Sequence, residues 1–487
     1  MDIVDNLGFL GLGPGRDKHK KNPTPLLGSH RRLMGSSAFI RRWISSRGSA
    51  GLFRCRRIPG EGAKRFMSTA TTGGVSSPSA PWLMLPPAVD GSGNISYKFH
   101  CLATKSDFVR TNNVGRELSA DDIQFVGSSH GWLALYNPRN SNLFLSDPIT
   151  DRHINLPSPR GLGGGADRVI LTSSPIEEGA LALMTFGSSR CRLALCSPRR
   201  GGEWSLFGGD REYDNLVYSS RSKRIFTIVE EYDYDEEEDE DELGKKQTSL
   251  EGWDVGGSKP RLDCVILCKK EIDFNDHHFD WPAMPDLKKE CTQVKYLVSD
   301  ESSGDLYLVV RHVNPRAGPL NSLTDKIVIS PLRGVHFIRT PYKTIEFDVY
   351  KVDFECGEVV YMEDSLDGLA IFVGINHSFA IPAAEVSGVK ADSIYFTDEN
   401  RLIAAMRFER TTYGGHDNGI FDYRNKVFHS CCDFYPVEYE KIRKILPLPL
   451  WFTPPATTAV ECNFSSFECN LAQSSSNIEM QRGNYVF

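Results

Sequence analysis

The sequence predicts an all-β body, a single β-propeller of six to eight degenerate blades, behind a basic N-terminal targeting segment. Three observations carry this. Short aliphatic and aromatic runs of strand length recur from Pro81 to Pro454, separated by Gly, Asn, Asp and Pro. Several runs open on the same kind of polar, glycine-containing turn: Ser128-Ser-His-Gly-Trp-Leu-Ala-Leu135, Ser302-Ser-Gly-Asp-Leu-Tyr-Leu-Val309 and Ser365-Leu-Asp-Gly-Leu-Ala-Ile-Phe372. Charge is split along the chain. Lys18 to Gly60 holds 11 Lys/Arg and no Asp or Glu, whereas Ser68–Phe487 holds 42 basic against 59 acidic residues, a net of −17.

Residues 1–67 read as an organellar transit peptide, mitochondrial ahead of plastid. An Arg- and Ser-rich, acid-poor composition is the signature of such segments. In Met34-Gly-Ser-Ser-Ala-Phe-Ile-Arg-Arg-Trp-Ile-Ser-Ser-Arg47, Phe39, Ile40, Trp43 and Ile44 share a helical face while Arg41 and Arg42 point away. Arg65-Phe-Met-Ser68 resembles a mitochondrial processing site. Asp2 and Asp5 fit a presequence poorly, so Met34 is a candidate translation start. Residues 68–80 form a Ser/Thr/Gly/Pro linker.

The body then unfolds strand by strand. Gly131–Tyr136, Asn142–Ser146, Arg168–Thr172, Arg192–Cys196, Arg224–Val229, Asp305–Val310 and Gly368–Val373 are continuous apolar runs, as expected of strands covered on both faces. Phe347–Phe354 alternates apolar with polar, the period of a half-buried strand. The one moderate helical pattern is Val437–Leu446. At about 40–50 residues per blade, residues 81–454 suffice for six to eight blades, and closure into a ring spares so many short strands an exposed edge. A two-sheet sandwich array is the rival. Between Glu230 and Glu242, 11 of 13 residues are acidic. Such a block self-repels, so 230–246 is expected to be a solvated loop outside the propeller. Residues 455–487 form a low-complexity tail.

Composition excludes some functions. The acidic body lacks the positive footprint that nucleic acid needs, and no apolar run approaches the roughly 20 residues of a membrane helix. The 12 cysteines form no CxxC and read as free thiols. Chemistry-bearing residues are few. Gly414-Gly-His-Asp-Asn-Gly419 tempts as an acid–base motif, but neighbours on a strand point to opposite faces, so His416 and Asp417 are expected in a tight turn. Ser128-Ser129-His130 lacks a nucleophile elbow and reads as a turn. His277 and His278, flanked by Asp276 and Asp280, diverge too far for one metal. Gly161–Gly165 lacks phosphate-loop spacing. Trp132, Trp204, Trp253 and Trp281 are packing residues. No catalytic, metal or cofactor residue is therefore assigned.

An ordered series of motifs adds a resemblance. It comprises Pro81-Trp-Leu-Met-Leu-Pro86, Gly127–Leu133, Leu145-Ser-Asp-Pro148 with Ile154-Asn-Leu-Pro157, and Leu216-Val-Tyr-Ser-Ser-Arg221. Met362–Gly374, Ser393-Ile-Tyr-Phe-Thr-Asp-Glu-Asn400 and Gly419-Ile-Phe-Asp422 complete it. Over residues 81–454 the chain resembles the KIB-type β-propeller domain of plant F-box and F-box-like proteins, a domain of unknown function. In F-box relatives the resemblance implies a substrate-binding module of a ubiquitin ligase. Ahead of Pro81, however, no leucine-rich segment with a Leu-Pro opening and a Trp-Arg ending is found. The chain looks like an organelle-targeted branch, and the expected function is non-catalytic binding of a protein partner. The other classes weighed are a ubiquitin-ligase adaptor and an enzyme with a channel-mouth site.

Overall fold

The computed structural model describes residues 80–89, 94–113, 123–187, 191–209, 211–233, 245–257, 259–268, 291–314, 342–399, 414–431 and 448–454. Residues 1–67, most of the linker, His277, His278, Trp281, Val437–Leu446 and the tail lie outside them. The described residues are strand and turn, with short 3-10 turns at Pro159–Leu162 and Ala383–Glu385 as their only helical elements. No helix among them is long and apolar enough to cross a membrane.

The strands fall into six consecutive groups. The first is β1 (Trp82–Val89), β2 (Asn94–Cys101) and β3 (Ser106–Asn113). The second is β4 (Gln124–Ser129), β5 (Trp132–Asn137), β6 (Asn142–Asp147) and β7 (Arg152–Leu156). The third is β8 (Ala166–Leu171), β9 (Ala182–Phe186), β10 (Arg192–Cys196) and β11 (Ser205–Phe207). The fourth is β12 (Glu212–Ser219), β13 (Arg224–Asp233), β14 (Lys245–Asp254) and β15 (Arg261–Leu267). The fifth is β16 (Thr292–Asp300), β17 (Leu306–Asn314), β18 (Lys343–Asp353) and β19 (Glu358–Tyr361). The sixth is β20 (Leu369–Val373), β21 (Phe379–Pro382), β22 (Ser393–Phe396), β23 (Gly419–Asp422) and β24 (Val427–His429). The second to fifth groups are antiparallel and pair strictly in chain order. The last strand, β25 (Leu450–Phe452), returns to pair with β1, matching Trp82 with Phe452 and Met84 with Leu450.

Six hydrophobic clusters show how the groups meet. Strand side chains alternate between faces, so each strand feeds two neighbours. In β5, Trp132, Ala134 and Tyr136 pack with Met184 and Phe186 of the third group. Leu133 and Leu135 pack with Met84, Phe99 and Phe452 of the first. Further clusters join third to fourth, fourth to fifth and fifth to sixth. The last joins Phe372 and Tyr395 of the sixth group to Leu83 and Trp451 of the first. The ring is closed: this is a six-bladed β-propeller among the described residues, not a sandwich array. Uninterrupted apolar runs follow directly from burial on both faces.

The turns explain the recurring polar lead-ins. His130 and Gly131 both have positive φ, 52° and 79°, between paired Ser129 and Trp132. That is the two-residue hairpin whose twist suits adjoining strands, and it demands residues that tolerate a left-handed backbone.

Two expectations need correction. Phe347–Phe354 is not half-buried: the middle of β18 is covered on both faces, because Asp348 faces His312 of β17 at 2.6 Å rather than water. The acidic run is not a loop from its start, since β13 extends through Asp233 and β14 begins at Lys245. Glu230 binds the buried Lys295 ammonium at 2.7 Å, which gives that first carboxylate a reason to be in a strand.

Candidate functional site

Contacts between non-neighbouring blades locate the centre of the ring. Residues 374–378, the link from β20 to β21, belong to the sixth blade yet reach the second and third. The His377 N–H donates to the Ser128 carbonyl at 2.8 Å, and the His377 and His130 rings lie 6.2 Å apart. From β8 of the third blade, Arg168 donates to the carbonyls of Gly374 and Asn376 at 2.9 and 3.0 Å and to Glu399 at 2.7 Å. The link also sends β21 alongside β16 in parallel, fusing the fifth and sixth blades into one nine-stranded sheet.

A second arginine stands beside the first. Arg311 of β17 has no exposed surface and donates to Thr344 Oγ1, Tyr296 Oη, the Thr397 carbonyl, and both the carbonyl and carboxylate of Asp417. The Asp417 carboxylate lies 2.8 Å from its guanidinium. Asp398 accepts from the Tyr342 hydroxyl and the Gly415 N–H, each at 2.6 Å. Three acids and two arginines thus share one buried polar core, supplied by β8, β17, the segment after β22 and the Gly414–Gly419 turn.

Electrostatics follow burial. Burial pushes the Asp398 carboxyl above its ordinary range against the pull of His416 and Arg311, and does the same to Glu399 against Arg168. Burial disfavours the Arg311 charge, but Tyr296, Asp417 and Asp398 outweigh it and hold the guanidinium protonated. His377 is pushed down to about 3, first by burial and then by His130 and Arg168. His130 is also lowered by burial of its imidazole, although the residue as a whole is exposed.

The motifs singled out in the sequence divide here. His416 and Asp417 do reach the core, and their side chains part as expected for neighbours. His416 Nε2 meets the Tyr342 carbonyl at 2.9 Å, while Asp417 goes to Arg311 and to the Thr344 N–H and hydroxyl. Asn418 closes the turn by donating to the Gly415 carbonyl. Asp417 is therefore more than a turn residue: it neutralises a fully buried cation. Ser128 Oγ makes no hydrogen bond among the described residues, and no Ser128–histidine pair is formed there. Trp132, Trp204 and Trp253 pack in inter-blade clusters. No group of His, Cys, Asp and Glu among the described residues is arranged to hold a metal ion. Arg168, Arg311, Asp398 and Glu399 were missed. Their signal is a charge inside or at the end of an apolar strand, which must be paired if it is to be buried.

A family model, KIB1-4 beta-propeller, matches residues 101–422. No curated protein matches the sequence. Solved structures that the chain matches include the Kuenenia stuttgartiensis hydrazine synthase, 11% identical over 71% of this chain and 83% of that one, at a TM-score of 0.30. A nidogen/laminin complex is 10% identical, covering 57% of this chain and 91% of that one, at 0.28. A complex of KlAtg21 with the coiled coil of AgAtg16 is 9% identical, covering 57% and 80%, at 0.28. At these scores the likenesses say nothing about function. The ordered motifs, the closed ring and the family match over most of the propeller agree: the chain belongs to the KIB1-4 beta-propeller family.

Proposed function

We propose that this protein is a non-catalytic β-propeller scaffold that binds a protein partner inside an organelle, the mitochondrion first. The observation that carries the scaffold reading is the state of the central polar core. Enzymes built on propellers can place reacting groups at the centre of the ring, and here the buried polar core holds arginines and carboxylates engaged with one another. Groups so committed hold blades in register. The basic N-terminal segment supports the organelle reading.

The test is proximity labelling of the tagged full-length chain in plant cells, which reports compartment and neighbours together. The expected outcome is a small set of mitochondrial proteins. Cytosolic labelling dominated by a Skp-type adaptor would favour the ligase-adaptor class and overturn the reading. Complementation of a loss-of-function line separates scaffold from enzyme. His130→Asn preserves the left-handed turn and should rescue fully. Failure of a normally accumulating His130→Asn or His416→Ala protein would reinstate an enzyme.

A further inference from the structure

A groove of about 790 Å³ opens at the outer part of the fifth blade, apart from the central core. It lies between the end of β18 with β19 and residues 362–367, which lead into β20. Its lining includes Phe354, Val360 and Met362, and Val360 is 55% exposed. The only ammonium in the lining, Lys351, is already held by Asp305 at 2.7 Å. Asp353 is occupied by the N–H groups of Glu355 and Cys356. Glu355, Glu363, Asp364 and Asp367 remain exposed, and their carboxylates pair with no cation among the described residues.

Unpaired carboxylates alone would be solvated surface, but these share the groove with that apolar lining. They are not gathered as metal ligands, so one divalent ion does not answer them, whereas several cations spaced along one ligand do. Guanidinium groups meet carboxylates through paired, directional hydrogen bonds. We propose that this groove docks an extended basic segment of the protein partner. Its arginine or lysine side chains meet the four carboxylates, and an aliphatic side chain between them lies on Val360. The proposal rests on the scaffold reading and adds the surface and the partner's chemistry.

The test uses the full-length chain and a labelled probe peptide, acetyl-Arg-Leu-Arg-Gly-Arg-Leu-Arg, followed by fluorescence anisotropy. Saturable binding is expected, weakening about tenfold between low and high salt as screening sets in. The joint variant Glu355→Gln, Glu363→Gln, Asp364→Asn and Asp367→Asn should lose at least about tenfold in affinity. Val360→Asp should lose a comparable factor although it adds a carboxylate. The substituted side chains are exposed, so an unchanged thermal midpoint confirms that each variant is folded. Equal binding by the joint variant would overturn the proposal, as would loss of binding only when the acidic run 235–242 is neutralised. Carbodiimide cross-links from Lys18, Lys20, Lys21 or Lys64 to Glu355 or Glu363 would make the chain's own N-terminal segment the occupant, and would equally overturn it. If the mitochondrial neighbours persist around the joint variant while probe binding is lost, the groove is not the partner's dock and the scaffold reading stands alone.

Discussion

A guanidinium with no exposed surface gives up its hydration, and that costs several kcal/mol unless every donor is met. Arg311 is met by Asp417, Thr344, Tyr296 and the Thr397 carbonyl, with the Phe396 ring 4.9 Å from its centre. Removing Asp417 leaves that charge buried without its counter-ion. Asp417→Ala should therefore cost about 3–5 kcal/mol, read as a large fall in the urea midpoint. His416→Ala removes no buried counter-ion; it loses the bond to the Tyr342 carbonyl and a ring contact with Tyr342 at 4.6 Å, and should cost less, roughly 0.5–1.5 kcal/mol for the hydrogen bond. Equal losses would contradict the assignment of the two neighbours to different partners. Their turn was legible from its glycines. The role of Asp417 was not, because its partner is 106 residues away in a strand whose apolar run was traced only as far as Val310. His377 adds a pH dependence. Its pKa is depressed from 6.5 to about 3, so its share of stability is present above pH 6.5 and is lost as pH falls toward 3. Asp398 and Glu399 act in the opposite sense. Raised by burial, they favour the fold below the ordinary carboxylate range and lose that contribution as pH rises through their raised values. His377→Gln separates the two: thermal midpoints measured from pH 7 to 4.5 should fall less steeply than in the wild type. An identical slope would mean that His377 protonates without disturbing the fold.

At the scale of elements, the ring depends on its shortest closing strand. β25 has three residues, all buried, and Trp451 meets Phe372 and Tyr395 edge-on at 5.2 and 5.7 Å. It brings the C-terminal end of the propeller back to β1 and covers the sixth blade at once. Trp451→Ala should cost about 3–5 kcal/mol, as large-to-small changes in a packed core do. Removing residues 448–487 should abolish cooperative unfolding, while removing only 455–487 should leave the midpoint unchanged. If the two truncations behave alike, β25 does not close the ring. In blades two to five, β5, β6, β8, β10, β13 and β17 were legible because burial on both faces writes an apolar run, and β18 was legible from its alternation. β4, β7, β9, β12 and β16 were not, and turns such as those holding Ser141, Asp151 and Lys223 adopt positive φ without a glycine to mark them. The sixth blade was less legible still. β20 pairs with β22 in parallel and β21 lies beside β16, an order set by contacts of the 374–378 link with Ser128 and Arg168 rather than by local pattern. Blade number stayed open for the same reason: spacing along the chain is irregular, and only the inter-blade clusters separate six from eight.

At the scale of the molecule, the division of charge is the strongest feature no single blade explains. Residues 1–67 carry 14 basic and 4 acidic residues ahead of a body with a net charge of −17. A basic tail kept only for solubility would sit oddly on so acidic a body, and a nucleic-acid tail would not interleave arginines with Phe39, Ile40, Trp43 and Ile44. A cationic segment entering a compartment negative inside gains about 2.3 kcal/mol per charge for each 100 mV, so its charge, not its exact sequence, should decide import. Residues 1–80 fused to a fluorescent reporter should enter mitochondria. Arg41→Glu, Arg42→Glu and Arg47→Glu together should keep the fusion in the cytosol by replacing three positive charges with three negative ones. Changing the same positions to Lys should preserve import, since charge is retained and only the guanidinium is lost. The mature N-terminus, read by peptide mapping, should lie at Ser68 or within a few residues after it. A fusion beginning at Met34 should still import, because it keeps the amphipathic stretch and 8 of the 14 basic residues while shedding Asp2, Asp5 and Asp17. A reporter that stays cytosolic, or Glu variants that still enter, would remove the organelle from the proposed function and leave a scaffold whose compartment is set by something other than this charge.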